Sequence, residues 1–498
     1  MIHWHFRISF DFIVLIFLLW RNSMLKKFMS ISAAFVTSVG MLLSVPAFVQ
    51  AETHDVELTL ASIESIQTKA STIAAKMDPN YPILIQMFLS QPAVFGIDIA
   101  KPMGLIADMP EDGFAYTIFL PVKNKTMFET QLGKLQEDGK ISEDVKVEFK
   151  NDFAVCCMNM EWTDDVPEFD GSKVLSLNAR PEALAPLLGM LVVLNPDMKP
   201  EQIEQMQKNM AQMESFTMDL DISNAGDLEL AFTQVPKEGT DIAQNFANSE
   251  KLTKSVLCNL CDENAPFTVQ VLGAFDENNR RDLVTSLTSE EIIPEKLREA
   301  ILLAMDVEKV DFVLSADGES LIAAMGISNG DEINKMIVEA IEEMEEDGDV
   351  TGTANAGKIG KSIVIHELQH AVSGQSIAVG VHKKYIFVAA AKSQKASTLL
   401  KKTLKANPLK VGTVDKNGNV TFDMDFVASL NPALADLGLD GKVTYVVDVN
   451  DGQLAGTFQI ESAVFESIGK IIKNIQVSTS VDMEGDASDG DLFEDDEE

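Results

Sequence analysis

The sequence predicts an α+β protein built from two homologous halves, each an antiparallel sheet with amphipathic helices on one face. Short segments of alternating apolar and polar residues, such as Thr217 to Ile222 and Phe422 to Phe426, indicate strands with one buried face. Segments with apolar residues at helical spacing lie between them, and Gly, Asn and Asp mark the turns. The same order of elements recurs more than 200 residues further on.

The composition is that of a globular protein with an acidic surface. Of the 498 residues, 46% are hydrophobic and 23% are charged, which is enough apolar sequence for a large core. The 77 acidic and 40 basic residues give a net charge of −37. Because this charge repels nucleic acid and anionic lipid, neither is expected as the main partner.

Residues 1–51 are predicted to be an upstream extension followed by a secretory signal peptide. The apolar stretch from Phe12 to Trp20 is too short to span a bilayer. Met24 is followed by two lysines, an apolar segment ending at Phe48, and small residues at Val49 and Ala51. This order is typical of a signal peptide cleaved after Ala51. We therefore expect translation to start at Met24 and the product to be periplasmic or extracellular, with an N-terminal membrane anchor as the alternative.

No later stretch reaches 18 uninterrupted apolar residues, so the exported chain is not expected to be integral to a membrane. Its last segment, residues 479–498, is predicted to be a disordered acidic tail. From Asp482 to Glu498 the chain contains ten acidic residues and no basic one, with few apolar residues to form a core.

The repeat consists of matching segments in the same order. They are residues 112–124 with 317–329, 153–162 with 363–372, the strand after Lys173 with the strand after Lys384, and the hairpin at Gly226 with the hairpin at Gly452. We therefore place the two halves at residues 52–262 and 263–478. These strand–helix–hairpin units resemble those of duplicated secreted bacterial proteins, a resemblance that implies no activity.

The segment HELQH at residues 366–370 resembles the HExxH signature of zinc metallopeptidases. On a helix, His366 and His370 would share a face and could bind Zn²⁺, while Glu367 activated the metal-bound water. His382 is the nearest further histidine and the candidate third ligand. The resemblance therefore implies a zinc-dependent peptidase with Glu367 as its catalytic base.

Other features of the sequence favour a strand for this segment. The matching segment of the first half has a cysteine and a methionine in place of the two histidines, and its alternating apolar residues predict a strand. The β-branched run Ile363 to Ile365 agrees with this. In a strand, His366 and His370 would lie about 13 Å apart, too far to share one metal ion. The chain also has no Glu between Ala371 and Ile460, where that family places its third ligand.

The four cysteines form two close pairs in the sequence. In an exported protein, a disulfide between Cys258 and Cys261 is the favoured arrangement. A cross-link from Cys156 or Cys157 to that pair is the second possibility, and free thiols are the third.

These features predict an exported, soluble protein of the cell envelope with a non-catalytic binding or structural role. The cleft between the halves is the expected place for a ligand, either an apolar small molecule or a divalent cation. Nucleic acid is not expected as a partner, and no cofactor is expected. Zinc is expected only under the alternative hypothesis, in which the protein is a metallopeptidase that uses HELQH.

Overall fold

The described residues of the computed structural model are 54–485, except 91, 93–94, 109–114, 140, 143, 185–199, 263, 275–294, 347–349, 371–374 and 431. They form an α+β protein with ten helices and a large antiparallel sheet, which confirms the α+β part of the predicted fold class. The predicted leader, residues 1–51, lies outside the described residues.

The helices are α1 (Ile63–Met77), α2 (Tyr81–Leu89), α3 (Lys125–Glu137), α4 (Pro200–Ala211), α5 (Asp241–Glu250), α6 (Glu295–Ala304), α7 (Gly330–Glu346), α8 (Ala396–Ala406), α9 (Met424–Leu430) and α10 (Ser462–Gly485). Polar side chains begin several of them. The Ser62 hydroxyl accepts a hydrogen bond from Ser65 N before α1, and the Asn124 side chain accepts one from Met127 N before α3. None of the described helices is both long and apolar enough to cross a membrane.

The strands are β1 (Val56–Leu60), β2 (Met103–Asp108), β3 (Ala115–Pro121), β4 (Lys146–Lys150), β5 (Phe153–Met158), β6 (Leu175–Ala179), β7 (Met213–Ile222), β8 (Leu228–Pro236), β9 (Lys254–Ser255), β10 (Phe267–Ala274), β11 (Lys309–Ala316), β12 (Ser320–Gly326), β13 (Val350–Ile359), β14 (Ile363–His370), β15 (Ser376–His382), β16 (Tyr385–Ala391), β17 (Gly412–Thr413), β18 (Gly418–Asp423), β19 (Lys442–Asn450) and β20 (Gln453–Ile460).

Fourteen strands form one sheet in the order β1-β6-β7-β8-β20-β19-β18-β10-β11-β12-β16-β15-β14-β13. All its neighbouring strands are antiparallel. A second sheet has the order β2-β3-β5-β4, and β9 pairs with β17. The two larger sheets meet where β2 lies against β1. Asp108 joins them there, since its carboxylate accepts from Asp55 N at 3.1 Å and lies 3.0 Å from His54 Nδ1.

Helices cover both faces of the sheet in the C-terminal part, so the expectation of helices on one face is wrong there. Along β12, Ala323 and Met325 pack in the apolar cluster that contains Ile333 of α7. Ala324, between them, packs in the cluster that contains Leu400 of α8. Because neighbouring residues of a strand point to opposite faces, α7 and α8 lie on opposite sides of the sheet.

Two further expectations are corrected at the ends of elements. The segment Phe422 to Phe426 is not one strand, because β18 ends at Asp423 and α9 begins at Met424. Met424 and Phe426 are buried in different clusters, as a helical turn allows and one strand face does not. Helix α10 continues to Gly485, so residues 479–485 of the predicted disordered tail are helical. Residues 486–498 lie outside the described part of the chain.

Candidate functional site

The HELQH segment lies on strand β14 and not on a helix. Its residues pair with β13 on one side and β15 on the other, with His366 opposite Val379. This confirms the strand that the sequence favours for the segment. At about 3.3 Å per residue, residues 366 and 370 are about 13 Å apart along the strand, which is too far for two ligands of one zinc ion.

His366 is fully buried, and both of its ring nitrogens have protein partners. Nδ1 accepts a hydrogen bond from Asn355 N at 3.2 Å. The proton therefore sits on Nε2, which donates to Asn334 Oδ1 of α7 at 3.0 Å. Burial lowers the pKa of His366, which favours this neutral form. A metal ion could bind His366 only by replacing one of these two partners.

The candidate catalytic base, Glu367, points away from His366. Glu367 follows His366 in the strand and so projects from the opposite face, where its nearest basic group is Lys395 Nζ at 3.9 Å. The side chain of Glu367 is 31% exposed. The Glu367 carboxylate and the His366 ring therefore lie on opposite faces of the sheet.

His382 lies at the end of β15 and is held by its own hairpin. Its Nδ1 accepts a hydrogen bond from Lys384 N at 3.2 Å, and its ring stacks on Tyr385 with 5.4 Å between centroids. Burial, together with the charges of Lys383 and Lys384, lowers its pKa. The side chain of His370 lies outside the described residues. Among the groups that the structure does describe, no three His, Cys, Asp or Glu side chains are placed to hold a metal ion.

Cys156 and Cys157 are neighbours on β5 and point to opposite faces of the four-stranded sheet. Cys156 packs with Phe128, whereas Cys157 packs with Phe119 and lies 3.3 Å from Thr117 Oγ1. Burial, and to a smaller extent the neighbouring thiol, raises the pKa of Cys156 to about 12. Such a thiol is protonated at neutral pH and is a poor nucleophile.

Cys258 begins a short 3-10 turn and Cys261 follows its end, and both are partly exposed thiols in the structure. Cys258 Sγ donates to Ser255 O at 3.5 Å, and Cys261 Sγ donates to Leu314 O at 3.9 Å. Cys261 packs in the apolar cluster beneath α8, whereas Cys156 and Cys157 lie in the separate four-stranded sheet. The disulfide between Cys258 and Cys261 stays a prediction.

A small polar depression lies between the two parts of the chain that the sequence defines as halves. Its volume is about 80 Å³, well below the roughly 300 Å³ at which ligand pockets begin. Its lining comes from Glu250, Leu252 and Thr253 in the first half and from residues 414–417 and 448–450 in the second. Its lining is mostly polar, which does not suit an apolar ligand.

The polar groups of this depression are engaged in holding the structure together. The Glu250 carboxylate accepts from Asp451 N at 3.1 Å and Gly452 N at 3.3 Å, in the turn between β19 and β20. Asp448 pairs with Lys416 Nζ at 3.0 Å. The Glu250 carboxylate therefore joins α5 to the hairpin, and the Asp448 carboxylate neutralises a lysine.

A buried acid that sequence reasoning missed lies on β11. Asp311 is 5% exposed, and Ser255 Oγ donates to its carboxylate at 2.6 Å. The same hydroxyl accepts from Leu257 N and Cys258 N, so Asp311 and Ser255 together fix the turn that carries Cys258. Burial raises the pKa of Asp311. The available signal was an acidic residue inside the otherwise apolar strand KVDFVLSA.

Comparison with known protein families, curated proteins and solved structures finds no significant match to this chain. Its function therefore has to be argued from its own residues.

Proposed function

We propose that this chain is an exported protein of the cell envelope with a non-catalytic binding or structural role, and that its body arose by duplication of one α+β unit. The export part of the proposal depends on residues 24–51, whose basic, apolar and small residues follow the order of a signal peptide.

The observation that carries the non-catalytic role is the environment of His366. The one segment of the sequence that resembles a catalytic signature is a strand, and its buried histidine has Asn334 and Asn355 on its two nitrogens. Glu367 projects from the other face of that strand. A histidine with these two partners stabilises the sheet, and its two hydrogen bonds account for its buried position without a metal ion.

The order of strands supports the duplication. The first half reads β8-β7-β6-β1 and then, across the contact between the sheets, β2-β3-β5-β4. The second half reads β20-β19-β18-β10-β11-β12-β16-β15-β14-β13. If the hairpin β15–β16 is an insertion, the two orders correspond strand by strand. The corresponding strands β8 and β20 pair antiparallel at the seam, as two copies related by a two-fold axis would.

One of the segment matches made from the sequence does not fit this correspondence. The strand after Lys173 is β6, which lies between β1 and β7, whereas the strand after Lys384 is β16, which lies between β12 and β15. The strand that occupies the place of β6 in the second half is β18. The similarity between β6 and β16 is therefore one of apolar composition and not of position.

Metal content and peptidase activity test the proposed role. The exported form, residues 52–498, is purified without added metal. Its zinc content is measured by mass spectrometry, and its peptidase activity is measured as the hydrolysis of casein. We expect zinc well below one ion per chain and no hydrolysis. Zinc at one per chain that is lost in a His370→Ala variant, together with hydrolysis lost in Glu367→Gln, would establish the peptidase alternative. Glu367→Gln is the matched control, because it leaves both histidines in place.

The leader is tested separately by sequencing the N-terminus of the chain recovered from the periplasm or medium of a bacterial host. Cleavage after Ala51 gives a chain that begins at Glu52. An Ala51→Leu variant should retain its leader, because signal peptidase requires a small residue there. Recovery of the unaltered chain in the membrane fraction with residues 24–51 intact would support the anchor alternative.

A further inference from the structure

Helix α2 concentrates exposed apolar side chains on one of its sides. Seven large apolar side chains are exposed in the described part of the chain, and three of them are on this helix: Ile83, Leu84 and Met87, with exposures of 59%, 50% and 62%. They stand at positions i, i+1 and i+4, so they share one side of the helix. Scattered apolar residues are ordinary on a surface, but a contiguous group is typical of a contact site.

The opposite side of α2 fixes its orientation. α2 packs along α1, and Leu89 joins the apolar cluster of the N-terminal part together with Ile73 and Met77 of α1. Helix α1 in turn packs against α10. The exposed side therefore points away from the body of the protein.

The segment that carries this helix is unusually free of charged residues for so acidic a chain. Residues 79–97 contain no charged residue, although 23% of the whole chain is charged. Asp78, just before the helix, pairs with Lys473 Nζ at 3.4 Å, and Lys76 of α1 pairs with Glu466 of α10 at 2.6 Å. The segment that carries α2 thus adds nothing of its own to the net charge of −37.

We propose that α2 is a membrane-surface contact, which lays Ile83, Leu84 and Met87 among the lipids of a zwitterionic bilayer. Apolar side chains of a surface helix bind in this way at the boundary between headgroups and acyl chains, and the strength of binding rises with the apolar area that they bury. The uncharged segment 79–97 suits neutral headgroups, whereas the acidic body would be repelled by anionic lipid. A second copy of the chain is a poorer occupant, since three side chains offer far less than the about 800 Å² per partner of a stable complex.

Vesicle flotation tests this proposal. The exported form is mixed with phosphatidylcholine vesicles and, separately, with vesicles that also contain phosphatidylglycerol, and the bound fraction is measured after centrifugation. The test variant is Ile83→Ser/Leu84→Ser/Met87→Ser. The matched control, Leu302→Ser/Val411→Ser/Leu430→Ser, removes the same number of exposed apolar side chains from other places. All six sites are exposed, so both variants are expected to keep the circular dichroism spectrum of the unaltered protein.

We expect reversible binding to phosphatidylcholine, weaker binding once phosphatidylglycerol is added, and at least about a tenfold lower partition coefficient for the α2 variant. The control variant should bind as the unaltered protein does. Absence of binding to phosphatidylcholine, or equal loss in both variants, overturns the proposal. So does a dimer in light scattering that the α2 variant alone abolishes, because the occupant would then be a second copy. Metal content plays no part in these outcomes, so they are independent of the role proposed above.

Discussion

Replacing His366 by alanine separates a structural histidine from a catalytic one. The side chain is fully buried, and its loss leaves Asn334 Oδ1 without its donor, Asn355 N without its acceptor, and a cavity between α7 and the sheet. Hydrogen-bond loss and cavity formation together should lower the free energy of unfolding by about 3 kcal/mol. Glu367→Gln should change it by less than about 0.5 kcal/mol, because the carboxylate is partly exposed and 3.9 Å from an exposed lysine.

The loss of stability caused by His366→Ala should depend on pH. Burial lowers the folded-state pKa of His366 below the value near 6.5 that histidine has in an unfolded chain. The unfolded state therefore binds the proton more readily, and the stability that neutral His366 provides above that pH is lost as the pH falls toward the lowered value. The slope reaches at most about 1.4 kcal/mol per pH unit. The difference in the free energy of unfolding between the unaltered protein and His366→Ala should therefore become smaller as the pH is lowered from 7 to 5.

Urea unfolding followed by circular dichroism at the two pH values measures this. His382 also has a lowered pKa, but both proteins retain it, so its contribution cancels in the difference. If His366→Ala unfolds at the same urea concentration as the unaltered protein, or if Glu367→Gln is equally destabilised, the structural role assigned to the histidine is wrong.

Three further predictions concern other parts of the fold. Asp311→Asn should raise the free energy of unfolding at pH 7, because the cost of the buried carboxylate appears as the pH rises from about 3.9 through its raised pKa. Acid titration of unfolding should show that this pH dependence is lost in the variant. Gly330→Ala should lower the melting temperature, since a Cβ there would overlap the backbone at the end of β15, whereas Gly133→Ala on an open helix surface should leave it equal or higher. Peptide mapping without reduction should find Cys258 joined to Cys261, because the 3-10 turn between them brings their Cα atoms within the reach of a disulfide. Alkylation of both thiols in the exported form would contradict this prediction.

The local features that the sequence predicts best are those that nearest neighbours decide. The β-branched run before His366 and the comparison between halves both favour a strand over residues 363–370, and the structure agrees. The prediction of one strand from Phe422 to Phe426 was wrong, because five alternating residues also fit the end of a strand followed by a helical turn. The contacts around α9 decide between the two, and they come from residues distant in the chain.

The side-chain partners could not be found from the sequence for the same reason. Asn334, the acceptor for His366, comes from a helix 32 residues earlier, and no spacing rule connects the two. The placement of α7 and α8 on opposite faces also follows from packing, since each helix alone has one apolar side and fits either face. The positions of Asp311 and Ser255 became meaningful only once β11 and the turn after β9 were side by side.

The edge of the sheet explains why a histidine stands inside β14. Strand β13 is the last strand of the large sheet, and its pairing with β14 shifts between Thr353 and Gly357. Asn355, within this bulge, has a φ of +53° and cannot use the regular ladder. Its N–H donates to His366 Nδ1 instead, and Nε2 then ties the strand to α7. Bulges of this kind make an edge strand a poor template for pairing with another chain. A side chain that accepts on one nitrogen and donates on the other is what this position requires, and neutral histidine provides both, so the first half of the HExxH pattern is accounted for without a metal.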